Sequence, residues 1–244
     1  MLSWPSLRSV QSLMTMDPLV LLTDVDRATD SLVRTASDLD PTVISQPSLL
    51  PGWTVGHVLT HVARNADAYT RLLTGARTGS PAEGYAPGQR GADIEAGATR
   101  PLREQIADIR ESHERFADAG AAMPAEAWTV HLDFLKAPAA VVPWARLREV
   151  EVHHVDLALS YTPADWSDAF AQRLLKELVT GLDGPAMVLR PFGLEHALTI
   201  GDAADPPVIG GPTKSIAAWL SGRGDGADLT VSPDGQLPAP GRWK

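Results

Sequence analysis

Two stretches far apart in the chain each place chemically active side chains four residues apart in otherwise apolar surroundings. They are His57 and His61 within Trp53–Leu73, and Glu149 and His153 within Pro143–Leu159. On a helix, residues i and i+4 stack one turn apart on one face, so each pair projects together. Unpaired polar rings on an apolar face cost free energy, so something must satisfy them. Facing helices of a bundle are a place where such ligands meet. The chain has no cysteine, which excludes disulfides, a cysteine nucleophile and thiolate ligands. A metal here would therefore rest on histidine, carboxylate and water, and three protein ligands with one open position is the arrangement of a catalytic zinc. At this level His57 and His61 are both candidates.

The rest of the chain supplies the bundle. Pro18–Leu39 carries Leu19, Leu22, Val25, Leu32 and Val33 at helical spacing behind Asp17 as N-cap. Pro41–Gly52 is rich in Pro and Ser and reads as a loop. Further helices are expected at about Trp53–Leu73, Pro101–Ala119 and Pro143–Leu159, with Pro101 in a first turn. Residues 74–98 are dominated by Gly, Ala and Pro and read as a long loop, a candidate lid. Four helices without an intervening strand pattern predict a four-helix bundle over residues 1–162. Beyond Tyr161 a helix is expected at Trp166–Leu182, then short strands at Met187–Leu189, Ala197–Ile200 and Leu229–Val231, with a helical piece at Ser215–Ser221. The mixture predicts a small α/β domain over 163–244, and an α+β fold class for the whole.

With 244 residues, 44% of them hydrophobic, the chain can fill a real core. No apolar run is long enough to span a bilayer, and the first sixteen residues lack the pattern of a secretory signal, so a cytoplasmic location is expected. A net charge of −9 without clustered Lys or Arg argues against nucleic acid as a partner. No heptad seam or large apolar patch stands out, and a monomer is expected.

Longer motifs carry a resemblance. Leu50–Ala66 (LPGWTVGHVLTHVARNA) resembles the second-helix motif of the mycothiol-dependent maleylpyruvate isomerases, which belong to the DinB-like metalloenzymes. Arg148–Leu157 (REVEVHHVDL), Ser221–Gly226 (SGRGDG) and Gly235–Trp243 (GQLPAPGRW) extend it over nearly the whole chain. The resemblance implies that His61, eight residues after Trp53, and Glu149 and His153 bind a divalent ion, usually zinc. It implies that Arg223 is the essential C-terminal arginine and that the cofactor thiol is mycothiol. The implied activity is metal- and mycothiol-dependent cis-trans isomerisation of maleylpyruvate to fumarylpyruvate, by reversible thiolate addition to a small dicarboxylic acid. A planar guanidinium such as Arg223 suits a carboxylate or a developing enolate. A mycothiol S-transferase acting on another electrophile is the neighbouring alternative, and a non-catalytic thiol- or acid-binding module is the alternative of another class.

Other residues have plainer roles to weigh. His57 is expected to pack or hydrogen-bond nearby. His154 points about 100° away from His153 and is expected in the core or on the surface. Asp156 could orient a ligand or form an ordinary salt bridge. Asn65 is expected to make an interhelical hydrogen bond or a cap. Arg223 could instead complement a helix dipole. Tyr85 and Arg90 could contact the thiol cofactor or nothing specific. Trp53, Trp144 and Trp219 are expected as core anchors.

Overall fold

The computed structural model describes residues 17–80, 82–233 and 235–243. The expectation that the first sixteen residues hold no secretory signal lies outside these. The described chain forms two compact units, one ending at Tyr161 and one beginning at Thr162.

In the first unit, α1 (Pro18–Ser37) starts where Asp17 accepts a hydrogen bond from the Leu19 amide at 2.9 Å. It buries the stripe Leu21, Val25, Ala28, Leu32 and Ala36. The long helix α2 (Val55–Thr78) follows Thr54. The short helix α3 (Gln89–Gly97), α4 (Leu102–Ala121), a two-strand ribbon of β1 (His131–Leu132) and β2 (Ala137–Pro138), and α5 (Val142–Asp156) complete it. Helix α2 packs on α4 and α5, and α1 packs on the same two, so α1 and α2 stand at opposite corners of a four-helix bundle. The seam between α2 and α5 is thus an inner wall of that bundle.

The expected long loop at 74–98 is corrected by the structure. Helix α2 continues to Thr78, burying Ala76, and α3 begins at Gln89 and packs on α2 with Ile94 and Gly97 buried, so much of that stretch is helical. What docks α3 is the absence of side chains. A Cβ on Gly56 would collide with the Ala98 carbonyl, and one on Gly97 would meet Thr60. Two glycines thus let the short helix approach closely enough to set its first turn beside the active face of α2.

The second unit begins with α6 (Asp168–Gly181), capped where the Ser167 hydroxyl accepts from the Phe170 amide at 3.1 Å. The strands are β3 (Leu182–Asp183), β4 (Met187–Phe192), β5 (Leu198–Ile200) and β6 (Val208–Pro212). Helix α7 (Thr213–Leu220), β7 (Thr230–Ser232) and β8 (Arg242–Trp243) follow. The four-stranded sheet runs β5-β4-β6-β7, with β4 and β6 parallel and both edges antiparallel, while β3 pairs with β8. Helix α7 packs on α6 and on the sheet. The inner strand β6 was missed in the sequence because Gly210, Gly211 and Pro212 read as loop punctuation. The α+β class holds: a helical bundle and a small mixed sheet unit.

Gly56→Ala is expected to lower stability by about 1–3 kcal/mol, as overpacking at an unyielding backbone contact does. Urea unfolding followed by circular dichroism would measure it, and an unchanged midpoint would contradict the docking described for α3.

Candidate metal centre

His61 and His153 meet across the α2–α5 seam, one ring nearly perpendicular to the other, with centroids 4.6 Å apart. Glu149 lies between them. Its Oε2 is 2.9 Å from His61 Nε2 and 3.4 Å from His153 Nε2. One ligand atom from each of the three lies within 4.8 Å of the others. The site is walled on one side, since the His61 side chain is 2% exposed while Glu149 and His153 are each 14% exposed. Among the described residues this is the group of His, Asp and Glu side chains that could hold a metal ion.

The surroundings fix each ring. Asp156, one turn after His153 on α5 and itself buried, has Oδ2 2.8 Å from His153 Nδ1. That bond keeps the Nδ1 proton in place and aims Nε2 at the site, the usual arrangement around a metal-bound imidazole. On the other side, Arg90 from the first turn of α3 brings Nη2 to 3.4 Å from His61 Nδ1. A guanidinium only donates, so His61 Nδ1 accepts and its Nε2–H points at Glu149. Trp53 stands edge-on to His61 at 5.6 Å, and the Arg90 guanidinium lies 5.9 Å from its ring centre.

Electrostatics follow from burial. Burial pushes His61 down to about 4, so this ring is neutral. Burial would raise the Glu149 carboxyl, yet hydrogen bonds from His153 and His61 outweigh it and hold Glu149 well below the usual carboxylate range. Burial would lower His153, but its hydrogen bonds to Asp156 and Glu149 outweigh this and raise it above the ordinary imidazole value. Three residues before Glu149, Arg146 is fully buried, donating through Nη1 to the Val62 carbonyl and to Asn65 Oδ1, each at 2.8 Å. Burial pulls it down to about 10, and the negative charge of Glu149 works against that fall. Burial pushes the Tyr85 hydroxyl up to about 12.

The donor set fits a divalent cation. Two imidazole nitrogens and one carboxylate oxygen converge from two rigid helices with an orienting Asp behind one imidazole, as in catalytic zinc sites, though nitrogen and oxygen donors also accept other divalent metals.

The remaining candidates separate cleanly. His57 is no ligand: its Nδ1 is 3.2 Å from the Thr54 amide and 2.8 Å from the Thr54 hydroxyl at the start of α2, and its Nε2 is 3.4 Å from Glu95. His154 is buried, bonded to the Thr35 hydroxyl at 2.9 Å and stacked on Tyr161 at 3.7 Å. Asn65 makes the expected interhelical bond. Trp144 and Trp219 are buried, but Trp53 is half-buried beside His61 and lines the centre instead of anchoring the core. Arg223, in the second unit, follows the last turn of α7 and donates to the Ser221 carbonyl at 2.6 Å, the position in which a cation complements a helix end. Sequence reasoning missed Arg146, although its spacing of three before Glu149 places it on the same stripe of α5.

A helical bundle with a two-histidine, one-carboxylate cluster in its seam that could hold a metal ion, followed in the chain by a small α+β unit, defines the class of protein. Residues 25–158 match the model of the mycothiol maleylpyruvate isomerase N-terminal domain. A crystal structure of the mycothiol-dependent maleylpyruvate isomerase superposes with a TM-score of 0.87 at 28% identity, covering 93% of this chain and 98% of that one. The crystal structure of a histidine-to-alanine mutant of that isomerase superposes with a TM-score of 0.86 over the same coverage. No match is found among curated proteins. The chain belongs to the mycothiol maleylpyruvate isomerase family, a family of enzymes. No helix among the described residues is long and apolar enough to cross a membrane.

Calorimetric titration of the metal-free protein with Zn2+ is expected to give one ion per chain. His61→Ala or His153→Ala should weaken it about 100-fold or more and Asp156→Asn about 10- to 100-fold. The ion must displace the His153 proton, and that proton is held from above the ordinary imidazole value of 6.5 downward. Affinity should therefore begin to fall above pH 6.5 and approach about a tenfold loss per pH unit below it. An affinity independent of pH between 5 and 8 would contradict the assignment.

Proposed function

We propose that this protein is a metal- and mycothiol-dependent cis-trans isomerase that converts maleylpyruvate to fumarylpyruvate in the cytoplasm, with His61, Glu149 and His153 as metal ligands. The observation that carries the reading is the convergence of these three side chains across one helix seam. The family match and the names of the two similar crystal structures support the thiol and the substrate.

A divalent ion held there supplies Lewis acidity that lowers the pKa of a thiol, so that thiolate is available at neutral pH. The chain has no cysteine, so that thiol is borrowed. His61 and His153 offer imidazole nitrogens and Glu149 offers a negative charge that is already ionised. Asp156 keeps His153 aimed at the centre, and Arg146 keeps a buried positive charge near Glu149.

The thiolate carbon–sulfur bond forms at one alkene carbon while the alkene electrons move into the conjugated carbonyl as an enolate. The former double bond is then single and can rotate. Return of the enolate electrons expels the thiolate and leaves the trans alkene, with no net redox change. Arg223 is proposed to pair with a substrate carboxylate or with the enolate charge, which requires its guanidinium to exchange the Ser221 carbonyl for the substrate.

Turnover is followed spectroscopically with maleylpyruvate, Zn2+ and mycothiol. Removal of the thiol should abolish it, and His61→Ala should cut it by about 100-fold or more, as loss of metal-ion catalysis does. Arg223→Ala should cost about 10- to 100-fold. Thiol-independent turnover would overturn the mechanism. Thiol consumption with accumulating adduct would assign an S-transferase, and absence of turnover with every thiol and metal would assign a binding module.

A further inference from the structure

The arginines beside α2 nearly all have an oxygen acceptor. Arg64 pairs with Asp67 and Asp108, Arg100 with Asp108, and Arg115 with Asp67, while Arg71 donates to the Gly84 carbonyl. Arg146 has the Val62 carbonyl and Asn65. Arg90 differs. Its side chain is exposed, and among the described residues no carboxylate lies within ion-pair distance of it. It faces His61 Nδ1 at 3.4 Å, a long hydrogen bond, and lies over Trp53. An exposed cation is thus held by an aromatic face and a ring nitrogen at the edge of the three-ligand cluster.

His61 Nδ1 can accept from Arg90 only while the ring proton is on Nε2. A metal ligated by Nε2 leaves the proton on Nδ1, and two donors then face each other. With an ion held at Nε2 the guanidinium would lose His61 Nδ1 as an acceptor and would stand over Trp53 at the edge of the cluster. A planar fork of N–H groups in that position matches a carboxylate bidentately.

We infer that Arg90 is a substrate-binding residue of the N-terminal unit, which pairs with a carboxylate of the dicarboxylic electrophile. The inference rests on the proposed function, which supplies a substrate with two carboxylates. Arg90 touches substrate through its guanidinium, while Trp53 holds the side chain over the site. The close docking of α3 at Gly56 and Gly97 fixes the helix that carries it.

The test uses maleate, a cis dicarboxylate with no reactive turnover in the absence of thiol, titrated calorimetrically into the Zn2+-loaded full-length protein. Arg90→Ala should weaken maleate about 10- to 100-fold, as loss of a charge-assisted pair does. Arg90→Lys should recover part of that loss by restoring charge without the fork. Zn2+ affinity of both variants should stay within about threefold of wild type, since Arg90 ligates nothing. In turnover, Arg90→Ala should raise KM for maleylpyruvate by a similar factor with kcat and the KM for thiol little changed.

Unchanged maleate affinity in Arg90→Ala would overturn the inference. So would absence of maleate binding by the wild type, or a fall in Zn2+ affinity parallel to that for maleate. Failure of the wild type to isomerise maleylpyruvate would overturn the proposed function instead, and the maleate titrations would still decide the role of Arg90.

Discussion

A carboxylate wedged between two imidazoles, in a seam where water scarcely reaches, is the contact on which the rest of this structure depends. Each of the three groups would be costly to bury alone, and together they satisfy one another. His61 comes from one helix and Glu149 and His153 from another, so the polar contact also registers α2 against α5. The apolar stripe around it supplies burial but little register. Leu, Val and Ala side chains at neighbouring positions would pack almost as well after a shift, whereas a Glu149 displaced by one turn would face no partner.

Charge in the seam is layered. Arg146 lies near Glu149 in the core, Glu149 is ionised between the two rings, and Asp156 stands behind His153. Positive and negative groups thus alternate along the α5 stripe from residue 146 to residue 156. A carboxylate with protein dipoles and a buried cation around it is already organised before any ligand arrives, the condition under which electrostatic stabilisation is most effective.

Much of this was legible in the sequence where a local rule applied. The spacing of four placed Glu149 and His153 on one face because helix geometry converts spacing into direction, while the choice of His61 over His57 came from the family resemblance. Asp17 as cap and the helical spacing of Val25, Leu32 and Val33 in α1 were equally local, whereas Leu19 of the same pattern is exposed. The features that escaped depend on what comes close in space. Helix α3 has only Ile94 as a buried bulky residue, and what docks it is the missing Cβ of Gly56 and Gly97, invisible to any hydropathy pattern. Strand β6 is a strand because β4 and β7 flank it, despite its Gly-Gly-Pro ending. Trp53 looked like core by its size, and only the folded chain places it at the edge of the centre. The direction in which Arg223 acts was not legible at all, since its sequence context serves equally a helix end and a substrate.

His61 and Glu149 are 88 residues apart in the chain. A cation bridging them would act as a reversible cross-link, in a protein that has no cysteine with which to make a permanent one. The unfolded polymer would then be restricted in the way a long disulfide loop restricts it, and chelation would be felt as lost cohesion of the bundle as well as lost chemistry. Resistance to unfolding and catalytic readiness would rise and fall together with the supply of a single ion.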